Sequence, residues 1–185
     1  MTLFKISLIT LAGLTALGAF AGHHLGYRWN KTKSYPSGVY RFVVAGPETI
    51  QNGDLVLACP EDNERQKEAR TRGYLPYGLG CPGGYAPLIK KAIALPGDSV
   101  VVSQDHIRVN GEAIKNTSRL DTDSQGRPMP ALPDSAEVKD GQVWLVSDYN
   151  ARSWDSRYFG AMPLNSIQGR VYPIWLFGAN NKTKI

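Results

Sequence analysis

The sequence is poor in the residues from which metal and redox sites are built. It has only two cysteines and three histidines in 185 residues. No Cys-x-x-Cys motif occurs, and His23, His24 and His106 lack the spacing of metal ligands, so a zinc site is not expected. Basic runs interleaved with aromatic residues are absent too, as are zinc-finger and helix-turn-helix patterns, which argues against nucleic-acid binding.

Charge of either sign is moderate, and this limits the class of protein. Charged residues make up 20% of the chain and hydrophobic residues 42%, which is typical of one domain with a real core. A disordered chain or a wholly membrane-embedded one has a different composition. The formal net charge of +5 suits anionic lipid headgroups or an acidic partner, although many ordinary domains carry as much.

Formally charged residues are missing from Ile6 to Tyr27, and Ile6–Gly22 is almost wholly apolar or small. That length is at the short end for a membrane-spanning helix, which needs roughly 17–25 residues. Lys5 supplies a positive flank. We favour an uncleaved membrane anchor; the alternative is a secretory signal cleaved after Ala21, within Ala19-Phe20-Ala21.

Two features disagree on which side of a membrane the rest of the chain lies. The positive-inside rule argues weakly against export, because four cations follow the apolar segment: Arg28, Lys31, Lys33 and Arg41. Cys59 and Cys81 favour export, because in an exported domain such a pair forms a disulfide worth ~3 kcal/mol in the chain-entropy model. The alternative is two free, partly buried thiols in the cytosol.

After the apolar segment, short β-type runs alternate with Gly, Pro and Asn. The predicted strands are Gly38–Val44, Asp54–Cys59, Leu88–Leu95, Ser99–Ser103, Gln142–Asp148 and Ile167–Leu176. A hairpin is predicted over His106–Ile114, since Asn110-Gly111 supplies the positive φ angles of a tight turn. The pattern indicates a mainly β, compact and partly barrel-like domain behind an N-terminal helix.

The other segments complete the expected organisation. Glu61–Arg72 is predicted to be a charged surface helix that stops at Gly73. Asn116–Asp140 is polar and contains proline, which favours a long excursion or lid. We therefore divide the chain into an anchor or signal segment at 1–27, a β-rich domain at 28–178 and a polar tail at 179–185.

Three short segments are richer in reactive side chains than structure alone requires. They are Thr32–Tyr40 around Ser34, Leu88–Asp98 with Lys90-Lys91, and Ser147-Asp148 followed by Ser153–Gly160. Taken singly, each has a structural explanation. A serine near a proline is a common turn, paired lysines protect an exposed sheet edge, and Asp-Ser-Arg-Tyr is a surface ion pair beside an aromatic ring.

Together and in this order, the segments resemble the boxes of the type I signal peptidase family. Lys90-Lys91 with Leu95-Pro96-Gly97-Asp98 is similar to one box, and Asp155-Ser156-Arg157-Tyr158-Phe159-Gly160 to another. The first box departs from the general Ser-Met-x-Pro pattern. Ser34-Tyr35-Pro36-Ser37-Gly38-Val39-Tyr40 is similar instead to the branch that matures pilin subunits for plasmid conjugal transfer. The likeness extends over most of 31–175.

The resemblance implies a mainly β fold of coiled, partly barrel-like sheets and a serine endopeptidase with Ser34 as nucleophile and Lys90 as general base. A lysine accepts a proton only when neutral, so its pKa must fall from about 10.4 through loss of water. Strand alternation by itself slightly favours Lys91 as the desolvated residue. The family match selects Lys90.

Further roles follow from the same resemblance. The hydroxyl of Thr32 and the backbone N–H of Ser34 would form the oxyanion hole, although a turn hydroxyl is an equally good interpretation of Thr32. Ser153 would hydrogen-bond the catalytic lysine. Asp155 would be a catalytic carboxylate supported by Arg157, or a structural partner of that arginine. No cofactor or metal is implied.

The family also implies partners and a location. The expected substrate is an exported pilin-like or signal-peptide-bearing protein, processed at the membrane surface for a conjugative transfer apparatus. The expected location is the bacterial inner membrane with the catalytic domain in the periplasm, or a soluble periplasmic form after cleavage. A housekeeping signal peptidase and a non-catalytic periplasmic scaffold are the alternatives. Hydrolysis and cyclisation of the substrate both stay open, because an acyl-enzyme is resolved by water or by an amine.

Overall fold

The structure of the protein, a computed structural model, describes residues 2–133 and 135–177. Its helices are α1 (Thr2–His24), α2 (Glu64–Thr71) and α3 (Ser156–Phe159). Its strands are β1 (Tyr27–Asn30), β2 (Gly38–Val44), β3 (Leu55–Ala58), β4 (Tyr77–Cys81), β5 (Leu88–Ala94), β6 (Ser99–Val102), β7 (Ile107–Val109), β8 (Glu112–Ile114), β9 (Ser135–Glu137), β10 (Gln142–Val146), β11 (Met162–Pro163) and β12 (Ile167–Leu176). The polar tail predicted at 179–185 lies outside the described residues.

The strands form two open antiparallel sheets. The larger sheet has the order β1-β2-β12-β3-β5-β10-β11, and the smaller has the order β8-β7-β6-β9. The mainly β prediction is confirmed, and neither sheet closes into a barrel within the described ranges. β5 leads directly into β6 through the turn at Gly97, which has a φ of 89° and joins the two sheets.

β5 is the centre of the hydrophobic core. Six of its seven residues are buried, which is expected of a strand covered on both faces. Ile93 packs in the cluster around Trp144, Ala92 in the cluster around Leu145, and Leu88 in the cluster around Trp154. Because β5 is covered on both sides, any polar side chain on it must be desolvated or reach a cavity.

Most predicted elements are present, with ends shifted by a few residues. β2 and β12 have the predicted bounds, and the hairpin turn has Asn110 at φ 50° and Gly111 at φ 86°. The charged helix begins later than predicted, at Glu64, because the Asn63 side chain accepts a hydrogen bond from the Gln66 N–H and caps it. The short elements β1, β4, β9, β11 and α3 were not predicted.

The first helix, α1, leads into β1, which pairs with β2. Among the residues that the structure describes, no helix is long and apolar enough to cross a membrane. The anchor and the cleaved signal remain predictions, as does the division of the chain at residue 27.

A disulfide joins Cys59 to Cys81 across 22 residues of sequence, and the structure describes no free cysteine. The closed loop carries α2 and then Gly73–Pro76, and those four residues line the cavity beside Ser34. The covalent link therefore constrains one wall of the candidate site.

Candidate active site

The structure brings Ser34, Lys90 and Ser153 into direct contact. Lys90 Nζ lies 2.8 Å from Ser34 Oγ and 2.5 Å from Ser153 Oγ. The two hydroxyl oxygens are 3.1 Å apart. These residues come from positions 34, 90 and 153, so only folding assembles a hydroxyl, an amine and a second hydroxyl within hydrogen-bond distance. The separation suits proton transfer between Ser34 and Lys90.

Burial prepares the Lys90 amine to act as a base. Lys90 lies in the middle of β5 opposite Val56, with a relative exposure of 1%. Burial lowers the pKa of Lys90 to about 8, because the protonated amine loses its hydration; the Asp155 carboxylate opposes this change and the Arg157 guanidinium adds to it. No carboxylate in the described residues hydrogen-bonds the amine. Roughly a tenth of the amine is therefore neutral at pH 7, and about half at pH 8.

Lys91 has a different environment, although it is the next residue on the strand. It is partly exposed and forms an ion pair with Asp148, whose other carboxylate oxygen accepts a hydrogen bond from Tyr35 Oη at 2.7 Å. Strand alternation slightly favoured Lys91 as the desolvated lysine, and this expectation was wrong. Both faces of β5 are covered, so strand alternation does not distinguish a buried face from an exposed one here.

Asn30, the last residue of β1, holds the segment that carries Ser34. Its amide nitrogen donates to the carbonyls of Tyr35 at 3.0 Å and Pro36 at 3.1 Å. Its oxygen accepts from the backbone N–H of Thr32 at 3.0 Å. Sequence reasoning missed this residue, because an asparagine beside a turn has many ordinary uses. Its 5% exposure and its several partners distinguish it from a turn residue.

Thr32 lines the cavity two residues before Ser34, as an oxyanion-hole residue would. In the structure its hydroxyl donates to Asn30 Oδ1 at 2.8 Å. The hydroxyl would have to rotate away from Asn30 to donate to an oxyanion. Its oxyanion role, and that of the Ser34 N–H, remain predictions.

Ser147 fixes the backbone of the serine segment from the opposite side. Its hydroxyl donates to the carbonyl oxygen of Ser34 at 2.5 Å and accepts from the N–H of Asn150 at 2.9 Å. Its own N–H donates to Asp155 Oδ2 at 3.0 Å. Ser147 is fully buried and links the Ser34 segment to the Asp155 box. Sequence reasoning quoted Ser147 but assigned it no role.

Asp155 and Arg157 form a fully buried ion pair beneath the site. Arg157 Nη2 lies 2.7 Å from Asp155 Oδ2, and Arg157 Nε lies 2.8 Å from Oδ1. Burial alone would lower the pKa of Arg157, but its hydrogen bonds to Asp155 raise it overall. The Asp155 carboxylate also caps α3 through the Arg157 N–H.

Asp155 does not hydrogen-bond Ser34 or Lys90 in the described structure. Asp155 is linked to Ser34 through Ser147, which hydrogen-bonds both residues. Its negative charge also raises the pKa of Lys90 without a direct contact. These contacts fit the alternative in which Asp155 is a structural partner of Arg157. A catalytic role for Asp155 remains a prediction.

A cavity of about 630 Å³ opens beside Ser34, Lys90 and Ser153. Its walls are largely apolar and aromatic, from residues Tyr74, Leu75, Pro76, Leu88, Leu120, Met129, Trp154 and Tyr158. Its size and lining suit several side chains of a bound peptide. No group of His, Cys, Asp or Glu able to hold a metal ion occurs in the part of the chain that the structure describes.

The polar excursion predicted at Asn116–Asp140 supplies one wall of this cavity. Arg157 Nη1 donates to the carbonyls of Asn116 and Ser118, both at 3.2 Å. Further along, Asp123 accepts hydrogen bonds from Tyr74 Oη at 2.5 Å and from Arg127 Nε at 2.6 Å. The hydrogen bond from Tyr74 holds the pKa of Asp123 well below its usual range, with the Arg127 contacts adding to it. These hydrogen bonds hold the excursion against the domain, where it forms a wall of the cavity.

The chain matches a protein-family model along nearly its whole length. The model is that of the signal peptidases, peptidase family S26, and residues 1–176 are matched. The chain therefore belongs to the signal peptidase family, a family of serine proteases. The resemblance inferred from the three boxes is confirmed at this level.

Relatives with curated names are similar over most of their length. A conjugal transfer protein TraF of Agrobacterium fabrum is 40% identical, over 91% of this chain and 91% of the relative. A plasmid transfer protein TraF of Escherichia coli is 36% identical, over 90% of this chain and 92% of the relative. Among solved structures, a signal peptidase I of Enterococcus faecalis is matched at 20% identity over 69% of this chain and 98% of that chain, with a TM-score of 0.40.

Proposed function

We propose that the chain is a membrane-associated serine endopeptidase that uses a Ser34/Lys90 dyad to process an exported substrate, the pilin subunit of a conjugative transfer system. The observation that carries the proposal is the contact between a buried amine and a hydroxyl at 2.8 Å. A non-catalytic scaffold has no need of a lysine desolvated beside a serine. The geometry therefore favours a peptidase over that alternative.

The first chemical step follows from the geometry. Neutral Lys90 Nζ takes the proton from Ser34 Oγ as the oxygen attacks the carbonyl carbon of the scissile peptide. The carbonyl oxygen becomes negatively charged and is stabilised by the Ser34 N–H together with a second donor, for which Thr32 is the candidate. Ser153, in contact with both reacting groups, orients the amine while it is neutral and accepts a hydrogen bond from it when it is charged.

The second step returns the proton and releases the first product. The Lys90 ammonium donates its proton to the nitrogen of the scissile bond, the carbon–nitrogen bond breaks, and the new amino terminus leaves. An ester between Ser34 and the substrate remains. Water, activated by neutral Lys90, hydrolyses this ester; an amine at the substrate's own amino terminus would instead close it into a ring. Both routes regenerate the Ser34 hydroxyl.

A role in conjugal transfer, which the pilin substrate presupposes, is supported by the names of the relatives. Two proteins that are 36–40% identical over about nine-tenths of this chain are named for conjugal or plasmid transfer. The departure at Ser34-Tyr35-Pro36 from the general Ser-Met-x-Pro box favours the same branch over a housekeeping signal peptidase. The proposed location is the inner membrane with the domain in the periplasm, where a disulfide such as Cys59–Cys81 persists.

Co-expression with a candidate pilin tests the proposal. The pilin is recovered from cells that carry the native chain, the Ser34→Ala variant or no chain, and its mass is measured. We expect a shortened pilin only with the native chain, and cyclisation is recognised by the loss of one further water. An unprocessed pilin in all three samples would reject the pilin substrate. Maturation at the native rate with a folded Ser34→Ala variant would reject the peptidase assignment.

A further inference from the structure

Three cations line the cavity that holds the Ser34–Lys90 contact. Lys31 and Lys33 lie just before the nucleophile, and Arg152 directly precedes Ser153. All three are exposed, and none forms an ion pair with another residue in the described ranges. The Lys31 ammonium also lies over the Trp29 ring, 5.8 Å from the ring centroid. We call these three residues the cationic rim.

The structure fixes the backbone that carries two of the rim cations. Asn150 Nδ2 donates to the carbonyl of Lys33 at 2.9 Å, and Asn150 Oδ1 accepts from the N–H of Arg152 at 2.9 Å. One amide side chain therefore joins two loops that are more than 100 residues apart in sequence. This arrangement keeps Lys33 and Arg152 on the same side of the cavity while their side chains stay free to meet a substrate.

The acidic lining of the cavity does not neutralise the rim. Among the described residues that line it, Asp123 is the one carboxylate. That carboxylate already accepts hydrogen bonds from Tyr74 and from the Arg127 side chain, and Arg127 also pairs with it ionically. No described carboxylate that lines the cavity therefore compensates the positive charge of the rim.

We infer that the cationic rim selects peptides that carry a carboxylate close to the scissile bond. The carboxylate should lie within about three residues of that bond, because three extended residues span ~10 Å. The carboxylate is an Asp or Glu side chain or the carboxyl terminus of a short leaving segment. The inference rests on the proposed function, because it describes the substrate of the same site. Anionic lipid is the less favoured ligand, since all three cations line the catalytic cavity itself.

Binding of defined peptides to the full-length Ser34→Ala variant in non-ionic detergent tests the inference without cleavage. The probes are fluorescent, end-capped decapeptides of alanine and leucine with one Glu or one Gln, placed in turn at each position around the centre. An additional pair has the same sequence with a free or an amidated carboxyl terminus, and it separates the two sources of the carboxylate. We expect the best Glu peptide to bind about tenfold more tightly than its Gln partner at low salt, as two or three exposed ion pairs would produce.

Salt and substitutions identify the groups responsible. The preference should shrink to less than about threefold at ~0.5 M salt, because exposed charges are then screened. Lys31→Gln, Lys33→Gln and Arg152→Gln should each reduce the ratio of Glu to Gln affinities, and the triple variant should bring it near one. Lys139→Gln, an exposed lysine away from the cavity, is the matched control and should leave the ratio unchanged.

The outcomes separate the inference from the proposed function. A native chain that processes pilin while its Ser34→Ala variant binds Glu and Gln peptides equally would overturn the inference and leave the peptidase intact. A Glu preference that depends on the rim, in a chain that processes no substrate, would support the inference and reject the function. Equal peptide binding together with rim-dependent binding to phosphatidylglycerol vesicles would overturn the inference in favour of a lipid surface.

Discussion

Lys90 Nζ lies 2.8 Å from Ser34 Oγ, and neither atom hydrogen-bonds a carboxylate in the described residues. A lysine in this position has lost its water without gaining an ion-pair partner, which lowers its pKa and makes it a base. The neighbouring Lys91 has gained such a partner in Asp148. The two adjacent lysines therefore differ in their partners: Lys91 contacts a carboxylate, and Lys90 contacts two hydroxyl groups.

Lys90→Ala should abolish processing, whereas Lys91→Ala should keep most of it. Lys90 supplies the base, while Lys91 contributes an ion pair at a partly exposed position that is worth at most about 1 kcal/mol. Initial rates of substrate processing by the two folded variants measure this difference. Loss of activity in Lys91→Ala with activity retained in Lys90→Ala would move the base by one residue.

The buried amine should also lower stability near neutral pH. Its pKa is about 8 in the folded chain and about 10.4 when unfolded, so between these values the unfolded chain binds more protons. The free energy of unfolding should therefore rise with pH across this window, by on the order of 3 kcal/mol. Below pH 8 that stability is lost, because the folded state must hold a charged, desolvated amine.

Lys90→Met is the matched variant for this measurement, since it keeps an unbranched apolar stem and removes the amine. Its free energy of unfolding, followed by denaturant titration at pH 7 and at pH 10, should lack the rise attributed to Lys90. Subtracting the variant from the native chain removes the contributions of the other titrating groups. Parallel pH profiles for the two chains would contradict a depressed lysine pKa.

Asn30→Ala should impair catalysis more than substrate binding. Asn30 holds the carbonyls of Tyr35 and Pro36, so its loss lets Ser34 move relative to Lys90. We expect kcat to fall by about 100-fold, as displacements near 1 Å can cause, with a much smaller change in KM. The pH midpoint of activity should stay near 8, because Lys90 remains buried.

Asn52→Ala is the control for that variant, since Asn52 is an exposed asparagine that donates to Asp98 away from the cavity. Thermal unfolding of both variants checks that they are folded. A folded Asn30→Ala chain with native kcat would show that Ser34 is positioned without it.

Removal of the disulfide should lower stability and weaken substrate binding together. Cys59 and Cys81 close a loop of 22 residues, which is worth ~3 kcal/mol in the chain-entropy model. The Cys59→Ala/Cys81→Ala variant should therefore unfold at lower denaturant concentration and show a raised KM, because the same loop carries Tyr74 and Leu75 into the cavity. Thiol labelling of the native chain from periplasmic extracts should find both cysteines protected until reductant is added; free thiols would argue against the disulfide.

The sequence predicted the strands with strong patterns and the residues that belong to family boxes. The bounds of β2 and β12 agree with the sequence patterns, and the box residues Ser34, Lys90 and Ser153 lie in contact. β1, β9 and β11 were missed because two to four residues carry too little periodicity to identify a strand. Their pairing is decided by the neighbouring strands in the sheet.

Contacts of individual side chains could not be predicted either. The hydrogen bonds of Asn30 to Tyr35 and of Ser147 to Ser34 depend on how β1 and the end of β10 are placed around the serine segment. Asp155 was named from the family box, but its sequence neighbours do not reveal that its carboxylate reaches Ser147 and Arg157 and stops short of Lys90. Such details arise from three-dimensional packing, which no local pattern encodes.

The central claim is that Lys90 takes the proton from Ser34, and the pH dependence of Ser34 acylation tests it most directly. The folded full-length chain is incubated with p-nitrophenyl acetate, and the acetylated residue and its rate of formation are followed by mass spectrometry from pH 6 to pH 10. We expect acetyl-Ser34 to form about tenfold faster per pH unit below a midpoint near 8 and to level off above it, since only the neutral amine is a base. Lys90→Ala should remove this dependence and almost all of the rate. Acetylation of Ser34 at the native rate in folded Lys90→Ala, or a native profile that does not change through pH 8, would contradict the account.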